Sequence, residues 1–193
     1  MNRTILHSDM NCFYASVEMM LNPELQGKAV AVCGSTENRH GIVLAKSISA
    51  KKYGIVTGEP VVNALKKCPG LEIVPPEHDY YSEQSHKLME LLKSFTPDIE
   101  QVSVDECYMD YTGIRNKFSN EIEAAYTIKN KVKEQFGFTV NVGISDVKVL
   151  AKMASDFEKP DKVHTLYKEE IQEKMWKLPV EDLFMAGKSS VNV

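Results

Sequence analysis

Two apolar runs that stop at bare carboxylates place the tightest limit on this fold. Residues 4–7 lead to Ser8 and Asp9, and about a hundred residues later 99–104 lead to Asp105 and Glu106. Each run has the length and composition of a strand, which sets the acids at strand ends. Carboxylates brought close together raise one another's pKa, so they gather only where something cationic neutralises them. Magnesium, which takes oxygen ligands and tends to arrive with phosphate, suits such a set. The plainer alternative is solvated acids at unrelated strand ends. A common sheet that carries both acid sites to one end separates the two readings.

The rest of the chain supplies that sheet. Phe13, Val17 and Met20 have helical spacing over 13–21, and Asn22-Pro23 stops the helix. Residues 28–33 and 41–45 read as strands, the second leading into a lysine-bearing helix that ends at Gly54. A helix over 61–67 opens after Gly58-Glu59-Pro60 and closes at Pro69-Gly70, and 71–74 is a further strand. Tyr81, Leu88, Leu91, Leu92 and Phe95 mark one face of a long helix that Pro97 ends. Residues 99–104 and 107–111 read as a hairpin with Asp105-Glu106 at the turn. A helix over 120–136, a strand over 139–145 with one polar face, and a helix over 147–157 broken by Pro160 follow, and from Glu169 the chain is helical again. With 22–76 set aside as an insertion, the order is β-α-α-β-β-α-β-α. That is an α+β fold of the ferredoxin-like kind, an antiparallel sheet covered by helices on one face, with the first strand central.

Composition narrows the class. A chain of 193 residues with 43% apolar content can bury a core, and no apolar run approaches the roughly 20 residues a membrane helix needs. The start lacks a signal-peptide pattern, and the four cysteines (Cys12, Cys33, Cys68, Cys107) are scattered without a CxxC, so a reducing cytoplasm is the expected setting. Net charge is −4, yet residues 28–68 hold seven basic side chains against two acidic ones, Glu37 and Glu59. A positive lobe facing an acidic metal site suits phosphate handling. A solvated lysine-rich face is the competing explanation.

Five runs then carry a resemblance: DMNCFYASVE (9–18), GIVLAKSISAKKYGIVTG (41–58), SVDECYMD (103–110), TVNVGIS (139–145) and LAKMASDFEKP (150–160). Their order and spacing resemble those of Y-family translesion DNA polymerases, the bacterial polymerase IV branch above all. The resemblance implies a palm at 1–21 and 77–167, a fingers insertion at 22–76, and the start of a helix-hairpin-helix thumb from 168 to 193, through LPVEDLFMAGKSS. By the same resemblance, the rest of the thumb and the little-finger domain of that family are expected to lie outside residues 1–193. Residues 1–193 are therefore expected to fold but to grip DNA poorly at physiological salt, since phosphate contacts dominate such affinity.

By the same resemblance, Asp9, Asp105 and Glu106 are the catalytic, metal-binding carboxylates, and the main-chain carbonyl of Met10 completes a site for two Mg2+ ions, or Mn2+, about 3.5–4 Å apart. The reaction implied is low-fidelity nucleotidyl transfer from a dNTP to a primer 3′-hydroxyl on primer-template DNA. Phe13 and Tyr14 follow the first acid where backbone amides meet the triphosphate, Tyr14 matches the steric gate against ribose, and Lys51 and Lys159 match nucleotide-binding cations. The family also implies a sliding-clamp partner, bound through a C-terminal region. The fingers run departs from the usual pattern: Ala45, Ile48 and Lys51 stand where a hydroxyl residue, a tyrosine and an arginine are common. Lysine keeps the charge and loses the bidentate fork, and Ser47 and Lys52 are the nearby residues that could compensate. Nucleotide cyclases share the sheet and the acids but have neither the basic insertion nor the helix-hairpin-helix start. A degenerate, non-catalytic DNA-binding relative is the other alternative, opposed by the intact acids.

Overall fold

The structure is a computed structural model and describes residues 3–34, 41–187 and Ser189. Two compact units divide the chain. One takes in the described residues of Met1–Asn11, Leu88–Gln135 and Thr139–Val193, the other Cys12–Lys87 and Phe136–Phe138.

In the first unit a five-stranded sheet has the order β5 (Ile99–Gln101), β6 (Glu106–Asp110), β1 (Ile5–Met10), β7 (Val140–Ser145) and β8 (Val163–Thr165). The first strand is central, as the element order implies, and antiparallel to both neighbours. It runs on through Asp9 to Met10, so Asp9 projects from the sheet itself and not from a loop beyond it. At the far edge β8 lies parallel to β7, which makes the sheet mixed where the sequence suggests an antiparallel one. A parallel neighbour needs a crossover, and α6 (Lys148–Asp156) provides it.

Residues directly opposite on paired strands share a face, so the register sorts the sheet into two chemically distinct sides. Leu6, Met10, Cys107, Met109, Val140, Val142 and Ile144 form an apolar side, all buried. The same unit supplies buried helical stripes at Leu88 and Leu92 of α4 (His78–Phe95) and at Ala124, Ala125, Ile128 and Val132 of α5 (Glu121–Phe136). The other side carries Ile5, His7, Asp9, Glu106, Tyr108, Asp110, Asn141, Gly143 and Ser145. Helix α6 lies on this polar side: His7 Nδ1 and Ser155 Oγ are 2.9 Å apart, and Gly143 meets the backbone at Ala151 and Ser155. Helical cover on one face only is therefore corrected. The alternation over 139–145 suggests a wet face, but every residue of β7 is buried because α6 sits on it.

Beyond Leu166 the expected continuous helix is broken into short pieces. A 3-10 turn (Lys168–Glu170), a π-helical turn (Ile171–Met175) and a second 3-10 turn (Val180–Asp182) take its place, interrupted by Pro179. Ile171, Met175, Leu178 and Leu183 pack on the outer side of α6 at Leu150, Met153 and Ala154. Of the expected thumb segment, Lys188 and Ser190 to Val193 lie outside the described residues, as do Glu37 and Arg39 of the basic stretch.

The second unit holds a three-stranded sheet of order β3 (Val43–Lys46), β2 (Val30–Cys33) and β4 (Glu72–Val74). Its core gathers Ala31, Cys33, Val43, Ala50, Ile55, Val61, Ala64 and Leu71. Helices α1 (Phe13–Leu21) and α3 (Val61–Lys67) have the limits their flanking Asn-Pro and Pro-Gly signals suggest. The lysine-bearing helix α2 (Ile48–Lys51) is a single turn capped by Ser47.

Candidate active site

The β1–β6 register sets Asp9 directly opposite Glu106 on the polar side of the first unit's sheet. Glu106 is the first residue of β6, and Asp105 ends the bend between β5 and β6. The bend is tied to β1 where the Met10 N–H donates to the Asp105 carbonyl at 3.0 Å. Ser103 Oγ donates to Asp105 Oδ1 at 2.7 Å. One hairpin register thus brings Asp9, Met10, Asp105 and Glu106 together at one end of one sheet.

Two lysines from the α6 region complete the cluster. Lys152, 8% exposed, donates to Glu106 Oε1 at 2.6 Å and to Asp9 Oδ2 at 3.1 Å, and pairs with Asp156 at 3.4 Å. Lys159 donates to the same Asp9 Oδ2 at 2.6 Å and pairs with Asp156 Oδ1 at 2.8 Å. These contacts settle the titration of the site. Burial pushes the Asp9 carboxyl up, but the charges of Lys159 and Lys152 outweigh it and hold Asp9 below the usual carboxylate range. Burial dominates at Glu106 and, with the nearby Asp9 and Asp105 charges, raises its pKa despite the Lys152 hydrogen bond. Burial opposes protonation of both lysines, yet the Asp9 charge and the hydrogen-bonded acids carry both above the ordinary lysine value. His7, fully buried on the same side, is pushed down to about 4 by burial and then by Lys152, and stays neutral at pH 7.

A buried amide network holds the segment that carries Lys159. Asn141 Nδ2 donates to the carbonyls of Ser155 (3.0 Å) and Glu158 (2.6 Å), and its Oδ1 accepts from Asn11 Nδ2 (3.1 Å). Asn11 Oδ1 in turn accepts from the Asp161 N–H (2.9 Å) and from Thr139 Oγ1 (2.9 Å). Sequence reasoning missed Lys152, Asp156, Asn11 and Asn141 as members of the site. For Lys152 a signal is present: a lysine inside the buried run from Leu150 to Ser155 requires a charged partner.

The donor set suits a hard divalent cation, being all oxygen, and the Lys152 ammonium sits between Asp9 and Glu106 as a stand-in for positive charge. Among the described residues no group of three His, Cys, Asp or Glu side chains closes around an ion position. The two lysine ammonium groups balance the charge of the acids in this arrangement.

The remaining sequence-derived residues lie in the second unit. Phe13 is buried, edge-on to Phe138 at 5.9 Å between ring centroids. Tyr14 is half-buried and stacks on Tyr81 at 4.2 Å with a 14° interplanar angle. Tyr81 donates its hydroxyl to the buried Glu18. Lys51 ends α2 and is exposed, as is Lys52 beside it. Ser47 is not free to replace a missing hydroxyl. Its Oγ accepts from Val30 N (3.0 Å) and Ala50 N (3.2 Å) and donates to the Lys28 carbonyl (3.2 Å).

Comparison with known proteins gives the chain's family and fold. Residues 8–156 match the model of the impB/mucB/samB family. DNA polymerase IV of Clostridium acetobutylicum is 50% identical over 98% of this chain and 49% of its own length. DNA polymerase IV of Acetivibrio thermocellus is 45% identical over 98% and 48%. Among solved structures, the insertion ternary complex of Dbh DNA polymerase superposes with a TM-score of 0.88 at 32% identity, covering 96% of this chain and 55% of that one. DinB from Sulfolobus solfataricus gives 0.88 at 30% identity, over 98% and 55%. The chain spans about half the length of the curated relatives it matches.

Proposed function

The chain belongs to the impB/mucB/samB family, and from that premise we propose that it is the catalytic part of a DNA-directed DNA polymerase that copies damaged templates with low fidelity. The observation that carries the reading is the facing pair Asp9 and Glu106, with Asp105 beside them and a lysine ammonium already seated between the two. In this reading Asp9, Asp105, Glu106 and the Met10 carbonyl hold magnesium or manganese. Bound there, the divalent ions supply activation of the primer 3′-hydroxyl and neutralisation of the pyrophosphate leaving group. The protein's own part is positioning and charge balance, with no covalent intermediate.

The backbone at Phe13 and Tyr14 receives the triphosphate, and the Tyr14 ring borders the sugar and excludes a ribose 2′-hydroxyl. Lys159 and Lys51 neutralise phosphate oxygens. Residues 1–21 and 77–167 act as the palm, 22–76 as the fingers, and the segment from 168 opens the thumb. Primer-template DNA and a dNTP are the substrates. No helix among the described residues is long and apolar enough to cross a membrane. With Ser47 engaged and Ile48 offering no polar group, the fingers grip on the triphosphate falls to Lys51 and Lys52.

The test is primer extension by the full-length protein. Asp105→Ala and Glu106→Ala should each abolish extension while primer-template binding persists. Robust extension by either variant refutes the assignment.

A further inference from the structure

One oxygen of the site is claimed twice. Asp9 Oδ2 accepts from Lys152 at 3.1 Å and from Lys159 at 2.6 Å. The two ammonium groups are otherwise unlike. Lys152 rises from the middle of α6, its side chain 9% exposed, and touches Asp9, Glu106 and Asp156. Lys159 lies beyond the end of α6, its side chain 30% exposed, and among the described residues it pairs with Asp9 and with an Asp156 carboxylate that is itself 47% exposed. Moving Lys152 would take the ammonium from Glu106 and leave Asp9 with Lys159 alone in a dry site, a costly step. Moving Lys159 off Asp9 leaves Asp9 paired with Lys152, so neither Asp9 nor Glu106 is left without a counter-charge.

We propose that Lys152 is a fixed counter-ion, whereas Lys159 is an exchangeable one that leaves Asp9 for an incoming polyphosphate and so couples nucleotide binding to metal binding. While Lys159 sits on Asp9, it holds the oxygen that a divalent cation needs and repels that cation. Polyphosphate oxygens offer the ammonium an alternative partner. Once it has moved, Asp9 keeps only the Lys152 ammonium and presents its carboxylate to the metal with one cation fewer beside it. Each ligand therefore binds better when the other is present, by the same factor in both directions. Lys152 keeps Glu106 and Asp9 in place throughout, so the site does not spring apart between the two states.

The identity of the polyphosphate as a dNTP rests on the polymerase reading, but the test needs neither DNA nor turnover. Mn2+ binding to the metal-free protein is followed by electron paramagnetic resonance, with no nucleotide present. A single adjacent charge shifts the affinity of a carboxylate for a cation by about tenfold or more. Lys159→Met should therefore bind Mn2+ about tenfold more tightly than the wild type, and Lys159→Arg, which keeps the charge, should bind it as the wild type does. Equal or weaker binding by Lys159→Met overturns the exchange. In excess EDTA, Asp9→Asn should raise dNTP affinity severalfold by releasing Lys159, and that gain should vanish in the Lys159→Met background. A gain of the same size in both backgrounds also overturns it. Lys152→Met should melt lower than the wild type without metal and recover more on adding Mn2+. A variant that Mn2+ restabilises no more than the wild type removes Lys152 as the fixed counter-ion. Failure of primer extension would sink the polymerase reading and leave these binding outcomes standing.

Discussion

Replacing Gly143 by alanine should damage this protein out of proportion to the single methyl added. A Cβ at that position would lie 1.9 Å from the Ala151 carbonyl oxygen, 2.4 Å from the Ser155 nitrogen and 3.1 Å from the Ala151 carbonyl carbon. All three are main-chain atoms of α6, so no rotamer change relieves the overlap. Ordinary contact begins at 3.4 Å, against 1.9 Å here, so helix and strand would have to part by about 1.5 Å. Overpacking a core costs about 1–3 kcal/mol where side chains can adjust. With backbone on the receiving side, we place the cost at about 3 kcal/mol or above. For a chain of this size each kcal/mol moves Tm by roughly 2–4 °C, so the melting point should fall by roughly 6–12 °C. The same helix carries Lys152 and Ser155, so extension by the full-length protein should suffer as well, since a 1 Å misplacement can cost about a hundredfold in rate. Thermal unfolding by circular dichroism decides the matter by sign. Gly143 has no left-handed backbone, so without the close approach alanine should stabilise the strand by about 0.5–1 kcal/mol. An unchanged or raised Tm refutes the packing argument.

Other perturbations are expected to separate in the same way. Tyr14→Ala should admit ribonucleotides with a small stability loss, about 1 kcal/mol for the stack on Tyr81; unchanged sugar selectivity in extension assays removes the gate role. Asn141→Ala takes a partner from the Ser155 and Glu158 carbonyls, at about 1–3 kcal/mol for each buried group left unpaired. It should lower Tm and raise KM for dNTP more than it lowers kcat, because it loosens the segment that presents Lys159. Burial raises the Glu18 carboxyl above its ordinary value, against the hydrogen bond from Tyr81. The folded state thus holds that proton more tightly than the unfolded chain, and the associated stability is complete below the ordinary glutamate pKa and lost as pH rises through the folded value. Glu18→Gln should accordingly raise Tm at pH 7.5 and lose its advantage near pH 4; an equal gain at both pH values contradicts the burial argument.

Much of the fold was legible because its punctuation is local. Asn22-Pro23 ends α1 at Leu21, and Pro60 and Pro69-Gly70 bracket α3. The element order put β1 at the centre of the sheet beside the strand that begins at Glu106. What failed to show was non-local or short. A three-residue strand such as β8 carries too little periodicity to read. The polar alternation of β7 suggests solvent because nothing in residues 139–145 tells that α6 returns across them. The segment from 168 has helical composition, yet it settles into 3-10 and π turns with its apolar residues packed against α6.

The candidate site divides along the same line. The acids are visible because bare carboxylates at the ends of apolar runs are conspicuous in any sequence. Lys152 signals only that it needs a partner, because the partners themselves lie 143 residues away at Asp9 and 46 residues away at Glu106. Those partners exist only once the β1–β6 register is fixed, since a slip of one residue would turn Asp9 or Glu106 to the apolar side. The register is fixed in turn by the bend at 103–105, where the Asp105 carbonyl takes the Met10 N–H. A charge that belongs to α6 thus reports on the pairing of two other elements. A lysine placed in mid-helix among Leu150, Ala151, Met153 and Ala154 is intelligible only as half of a site, whose other half is the pair of acids the sequence displays openly.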